Sequence, residues 1–200
     1  MVLSEKAQIT RNRILDAGAA LFYLYGYNAT GLDKVIRRAE VTKGNFYYHF
    51  KSKEALAVAT LDLQLDLIQQ EIKDQVLKDH NSPLENLFDL FEFLANKQKA
   101  QHVEGHICGC YFGNFTLELS TSSNDVRNKL KDVFDSYLSL IGSLLTSAKE
   151  TGEIAKTIDP VTMSSIIMSQ IEGAILLDKA NQVPKNVDAS IKFIKQVLTT

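Results

Sequence analysis

Residues 30–56 read TGLDKVIRRAEVTKGNFYYHFKSKEAL. Thr30 is placed to cap a short helix, with Asp33 three residues on in the capping-box position. Val35, Ile36 and Ala39 give that helix its buried side. Thr42 is placed to cap a second short helix, whose inward residues are Phe46 and Phe50. Its outward faces carry Lys43, Asn45, Tyr47, Tyr48 and His49. Ser52 then caps a long helix running from Lys53 to about Lys78. Two short helices joined by a tight turn, the second polar and basic outside, make a helix-turn-helix whose second helix suits a DNA major groove.

That geometry assigns roles along the second helix. A recognition helix enters the groove N-terminus first, so its early side chains meet base edges. Lys43 and Asn45 donate to bases, Gly44 admits close backbone approach, and Tyr47 meets a base or a thymine methyl. Tyr48, His49 and Lys53 fall nearer phosphates. Thr30 and Thr42, at helix starts, offer phosphate a hydroxyl and a backbone N–H. Phe46 and Phe50 are core aromatics.

The net charge of −2 conceals a division. Residues 1–53 hold nine Lys/Arg against four acids, a surplus of +5, and the remaining 147 residues carry −7. A basic head on an acidic body suits a protein whose head alone meets phosphate. Apolar residues make up 45% of the chain, and with 200 residues it can bury a real core. Two cysteines, Cys108 and Cys110, do not make a disulfide framework. Residues 1–13 lack the apolar core of a signal peptide, and no apolar run approaches the ~18 residues of a membrane span. These features read as a cytoplasmic chain without a membrane partner.

The whole ordered string around the turn is specific. Residues 9–30, ITRNRILDAGAALFYLYGYNAT, and 35–56, VIRRAEVTKGNFYYHFKSKEAL, resemble the DNA-binding domain of the TetR family of bacterial transcriptional regulators. One departure stands in the turn, where the family usually has glycine and this chain has Glu40. If φ is positive there, glutamate costs on the order of 1 kcal/mol relative to glycine. The resemblance implies a homodimer, each subunit with a DNA-binding head (1–52) and an effector-binding, dimerising body (53–200). It also implies a palindromic operator on double-stranded DNA, repression, and release by a small-molecule effector of unknown identity. No cofactor is implied.

The rest of the chain reads as helices. Ile14, Gly18, Leu21, Phe22 and Tyr25 share one face of a helix from about Glu5 to Tyr25, stopped by Gly26. Ser82-Pro83 and Asp159-Pro160 mark two more helix starts, and Gly152 ends a helix begun near Asn124. No alternating strand pattern occurs, so the fold class is all-α, with about nine or ten helices and a three-helix head. Residues 124–151 and 159–180 resemble the last long helix pair of the family, which packs as a four-helix dimer interface. On that reading Val133, Tyr137, Leu140, Ile141 and Leu144 line one face, and Ile167, Ile171, Ala174 and Ile175 the other. Packing of both stripes inside one subunit is the alternative.

Residues 102–120, HVEGHICGCYFGNFTLELS, mix aromatics with polar groups and form the candidate effector region. Cys108, Tyr111, Phe112, Asn114, Phe115 and Glu118 are its candidate pocket residues; core packing plus a helix start is the plainer reading. Cys108 and Cys110, with His102 and His106 nearby, also admit a metal-responsive or a thiol-based redox or electrophile-responsive regulator. Glycine-rich phosphate loops, nucleophile elbows and zinc-protease pairs are absent, so the chain does not read as an enzyme. A helical adaptor whose basic head binds without sequence preference is the reading from a different class.

Overall fold

A computed structural model describes residues 4–77 and 82–200. Among the described residues the regular structure is entirely helical, in nine helices. They are α1 (Glu5–Tyr25), α2 (Leu32–Arg38), α3 (Lys43–His49), α4 (Lys53–Gln75), α5 (Pro83–Val103), α6 (Tyr111–Leu119), α7 (Asn124–Glu150), α8 (Pro160–Asn181) and α9 (Asn186–Leu198).

Local chemistry sets most of these boundaries. Gly26 ends α1 at φ +83, a conformation costly for other residues. Ser82 and Glu85 form a full capping box at the start of α5, with Pro83 in the first turn. Asp159 caps α8 by accepting the Thr162 N–H at 2.9 Å. Gly152, at φ +80, follows α7. The start of α2 differs from expectation, because its cap is Gly31, without a side-chain bond. The expected end of α4 at Lys78 lies outside the described residues, and the helix extends to Gln75.

The helices form two compact units, each with its own core. One takes in the chain up to Leu67 together with Tyr111–Lys131, and the other takes in Ile68–Cys110 with Asp132–Thr200. The chain passes between them three times: within α4, ahead of α6 and within α7. The first unit buries Ile14, Phe22, Val35, Phe46, Leu56 and Phe115. Gly18 lets α1 approach α4 closely, since a Cβ there would lie 2.8 Å from Leu56 Cδ2.

The second unit centres on Leu87, Phe91, Leu145, Ile167, Ile171 and Ile191. Asp178, fully buried on α8, holds the start of α9. Its carboxylate accepts N–H bonds from Lys185, Asn186 and Val187 at 2.7–3.2 Å.

Most residues of the expected dimer stripes are buried within the single chain. Val133, Ile141, Ile167, Ile171, Ala174 and Ile175 are buried, and Tyr137, Leu140 and Leu144 are partly buried. The outer side of α8 is apolar too, with Val161, Ile166, Leu176 and Leu177 exposed, and α9 adds Phe193 and Val197. A helix apolar on nearly all sides gives periodicity no contrast from which to choose the inner face. By length and composition α8 is also the helix among the described residues that could cross a membrane.

Candidate DNA-binding surface and effector region

The helix-turn-helix is α2 and α3 joined by residues 39–42. Glu40 has φ +51, as its place in the turn demands. Arg13 of α1 donates to its carboxylate at 2.9 Å and to its carbonyl oxygen at 3.4 Å. Thr42 caps α3 as expected, its hydroxyl accepting the Asn45 N–H at 3.1 Å. Phe46 and Phe50 are buried, with ring centroids 6.0 Å apart.

Fixing one face of α3 in the core leaves Lys43, Gly44, Asn45, Tyr47 and Tyr48 exposed. Tyr47 is half exposed and Tyr48 two-thirds exposed, with no buried role to account for them. His49 is half-buried at the end of α3. Burial and the nearby Arg11 guanidinium hold its imidazole below its ordinary pKa, favouring the neutral form. Further cations of the head lie over aromatic rings: Arg11 is 5.2 Å from the Phe50 ring centroid and Lys34 3.3 Å from that of Tyr25.

Two expected phosphate contacts sit differently. Thr30 is fully buried. Its hydroxyl donates toward the carbonyls of Gly26 at 2.7 Å and Leu21 at 3.2 Å, and its N–H goes to Tyr27 O at 3.1 Å. It therefore ties the end of α1 to the approach to α2 and presents neither group to solvent. Lys53 is half-buried with its ammonium 3.9 Å over the Tyr27 ring. Burial lowers its pKa, and the Glu118 carboxylate opposes that shift.

The candidate effector residues divide between the units. Tyr111, Phe112 and Phe115 of α6 are buried in the first unit. Phe115 meets Phe22 edge-on at 5.9 Å, and Tyr111 stacks obliquely on Tyr23 at 5.6 Å. Asn114 and Glu118 are half-buried on the same helix. Glu118 accepts the backbone N–H of Tyr27 at 3.0 Å and of Asn28 at 2.7 Å. Sequence spacing gave no hint of this bond, because its partners lie about 90 residues away.

Cys108 belongs to the second unit, as does Cys110, and neither forms a disulfide. They precede α6 in a non-helical stretch. The Gln101 side chain accepts the N–H groups of Cys108 and Gly109 at 2.7 and 3.2 Å. Gln182 brackets Ile107, accepting its N–H at 2.9 Å and donating to its carbonyl at 3.0 Å. Burial pushes the Cys108 thiol up in pKa, with Lys179 opposing. A raised pKa leaves less of the nucleophilic thiolate. No group of three or more His, Cys, Asp or Glu among the described residues is arranged to hold a metal ion.

Cys110 and Tyr137, expected in separate roles, are joined in this unit by Glu172, which the sequence reading did not include. Glu172 of α8 takes a hydrogen bond from the Cys110 thiol, and burial raises its carboxyl pKa. Tyr137 of α7 lies close enough to feel both groups, and burial, then Cys110 and Glu172, push its phenol up.

Comparison with known proteins agrees with this geometry. Residues 14–60 match the sequence profile of the bacterial regulatory proteins, tetR family. Residues 83–194 match that of the tetracyclin repressor-like C-terminal domain. A Lactococcus lactis protein described as an uncharacterized HTH-type transcriptional regulator in the lacX 3' region is 28% identical over 186 residues, covering 93% of this chain and 91% of that one. The HTH-type transcriptional repressor DhaR of Mycobacterium sp. is 27% identical over 188 residues, covering 94% and 91%. The crystal structure of Escherichia coli NemR in its reduced form shares the fold with a TM-score of 0.85 at 24% identity, covering 96% of this chain and 98% of that one. With its helix-turn-helix head and both matching regions, the chain belongs to the TetR family and is a bacterial transcriptional regulator.

Proposed function

We propose that this regulator is a repressor that binds a palindromic operator as a homodimer and is released by a small-molecule effector. The observation that carries the DNA reading is α3 itself: Phe46 and Phe50 anchor one face, leaving Lys43, Gly44, Asn45, Tyr47 and Tyr48 free on the other. In the complex Lys43, Asn45 and Tyr47 reach base edges, while Thr42, Tyr48 and His49 serve phosphates. Lys53 joins the phosphate contacts only by leaving the Tyr27 ring. Repression has the support of relatives such as DhaR, named as repressors. Regulation of transcription in a cytoplasm accounts for the chain without any catalytic step.

The second copy covers the outer side of α8 and α9. Ile166, Leu176, Leu177 and Phe193 supply apolar area there, and Ser165, Ser169 and Gly173 on the same side let helices approach. This apolar side of α8 is thus a helix-docking surface and not a lipid-facing one. For the effector, Glu172, Tyr137 and Cys110 provide a few fixed polar groups within an apolar body, the composition of a small-molecule site. The buried thiol of Cys108, its pKa raised by burial, favours this reading over a thiol-reactive sensor at that residue.

Selection of genomic fragments by the purified protein at near-physiological salt tests the proposal. Recovery of a palindrome, lost on Lys43→Ala or Tyr47→Ala, is the expected result. Binding that is sequence-blind and abolished by moderate salt would overturn it in favour of a generic basic patch.

A further inference from the structure

We propose that Glu118 is a positioning residue for operator recognition: by accepting the Tyr27 and Asn28 N–H groups, its carboxylate makes α6 a working part of the DNA-binding head. This rests on the operator-binding reading above, and names a residue far from α3 in sequence on which α3 depends.

Helix α1 ends at Gly26, and the chain must then turn through residues 27–31 to begin α2. The N–H groups of a turn need acceptors when they are not given to water. Thr30 satisfies itself locally, through Tyr27 O, Gly26 O and Leu21 O. Tyr27 and Asn28 instead rely on one carboxylate from α6. A charged acceptor shared by two N–H groups is among the stronger hydrogen-bond arrangements. The approach is close: a Cβ at position 26 would lie 2.7 Å from Glu118 Oε1, so the glycine also makes room for the carboxylate.

The clamp does not stand alone. Phe115, one turn before Glu118, packs against Phe22 and Tyr27. Lys53, on the first turn of α4, lies over the Tyr27 ring, and Glu118 favours its charged form. Ser123, ahead of α7, donates to Glu54, and Lys129 pairs with Asp62. Three elements of the helix-turn-helix frame therefore meet residues 111–131: the end of α1, the turn after it, and α4. A displacement of α6 is delivered through Glu118 to the residues that lead into α2.

The test uses the full-length protein, as wild type, E118A and E118Q. Amide hydrogen exchange at Tyr27 and Asn28 and the Kd for the selected palindrome are measured together, below the melting range of every variant. In E118A both amides exchange at least about tenfold faster and operator Kd rises about tenfold, the size expected for losing hydrogen bonds to a charged acceptor. E118Q keeps an oxygen acceptor and falls between the two. A merely structural role would lower the melting temperature and leave Kd at the working temperature within twofold; that result overturns the proposal, as does unchanged exchange at Tyr27 and Asn28. Should E118A not fold, E118Q decides alone: wild-type exchange and wild-type Kd would overturn it. If no palindrome is recovered the operator reading fails, while the exchange measurement still reports on the clamp.

Discussion

Arg13 donates to both the carboxylate and the carbonyl oxygen of Glu40, the residue that carries the helix-turn-helix turn at φ +51. A left-handed φ is costly for any side chain, by about 1 kcal/mol relative to glycine. Arg13 offsets part of that cost by an exposed pair of the kind worth ~0–1 kcal/mol. Stability by chemical denaturation should therefore rank Glu40→Gly above wild type and wild type above Glu40→Ala. The ends of the series should lie about 1 kcal/mol apart or somewhat more. A Glu40→Ala protein as stable as Glu40→Gly would refute the strain argument.

The two threonines of the head should part company. Thr42→Ala removes an N-cap and should cost about 1 kcal/mol, and it should also weaken operator binding, because Thr42 is exposed beside Lys43. Thr30→Val keeps the volume but strips the hydroxyl from two carbonyls in a fully buried place. It should cost about 1–3 kcal/mol, and where the protein stays folded it should leave the salt dependence of DNA binding unchanged. Denaturant midpoints and a salt titration of operator affinity separate the two.

Assembly is checked by contrasting the two sides of α8. Leu176→Glu combined with Phe193→Glu should give a folded monomer by sedimentation equilibrium, with helical circular dichroism retained. Ile171→Glu puts a carboxylate into the core of one chain and should unfold it, at a cost of several kcal/mol. A folded, monomeric Ile171→Glu protein would instead restore that face as the interface.

Glu172 predicts a pH dependence of stability. Its carboxyl pKa is raised in the folded state by burial, so the folded protein holds this proton more tightly than the unfolded chain. Its contribution is complete below the ordinary carboxylate value and is lost as pH rises through the raised one. Glu172→Gln should therefore raise the melting temperature at pH 7–8 and change it less near pH 4. Equal shifts at both pH values would show that the carboxyl is not buried as described.

Much of this protein was legible because its cues are local. Thr42, Ser52, Ser82 and Asp159 each accept a backbone N–H three residues on. Gly26 and Gly152 ended helices through their own φ, and the ordered string from Thr42 to Phe50 carried the recognition helix and its two core phenylalanines. Thr30 shows the limit: a threonine near a helix start reads as a cap, but the true cap is Gly31 and the hydroxyl turns inward to α1. The inner face of α8 was illegible because both its faces are apolar. Which of them is buried was settled by α5, α7 and α9 packing around Ile167, Ile171 and Ile175.

By itself, then, the sequence determined most of the helices and of their caps, the basic head and the side of α3 turned to solvent, since each depends on neighbours within about one helical turn. Tertiary structure decided the membership of α6 in the head, the place of Glu118, the anchoring of Glu40 by Arg13 and the free side of α8. Those rest on contacts between residues 27 to 91 positions apart, or on which of two similar faces finds a partner, and no local pattern encodes them.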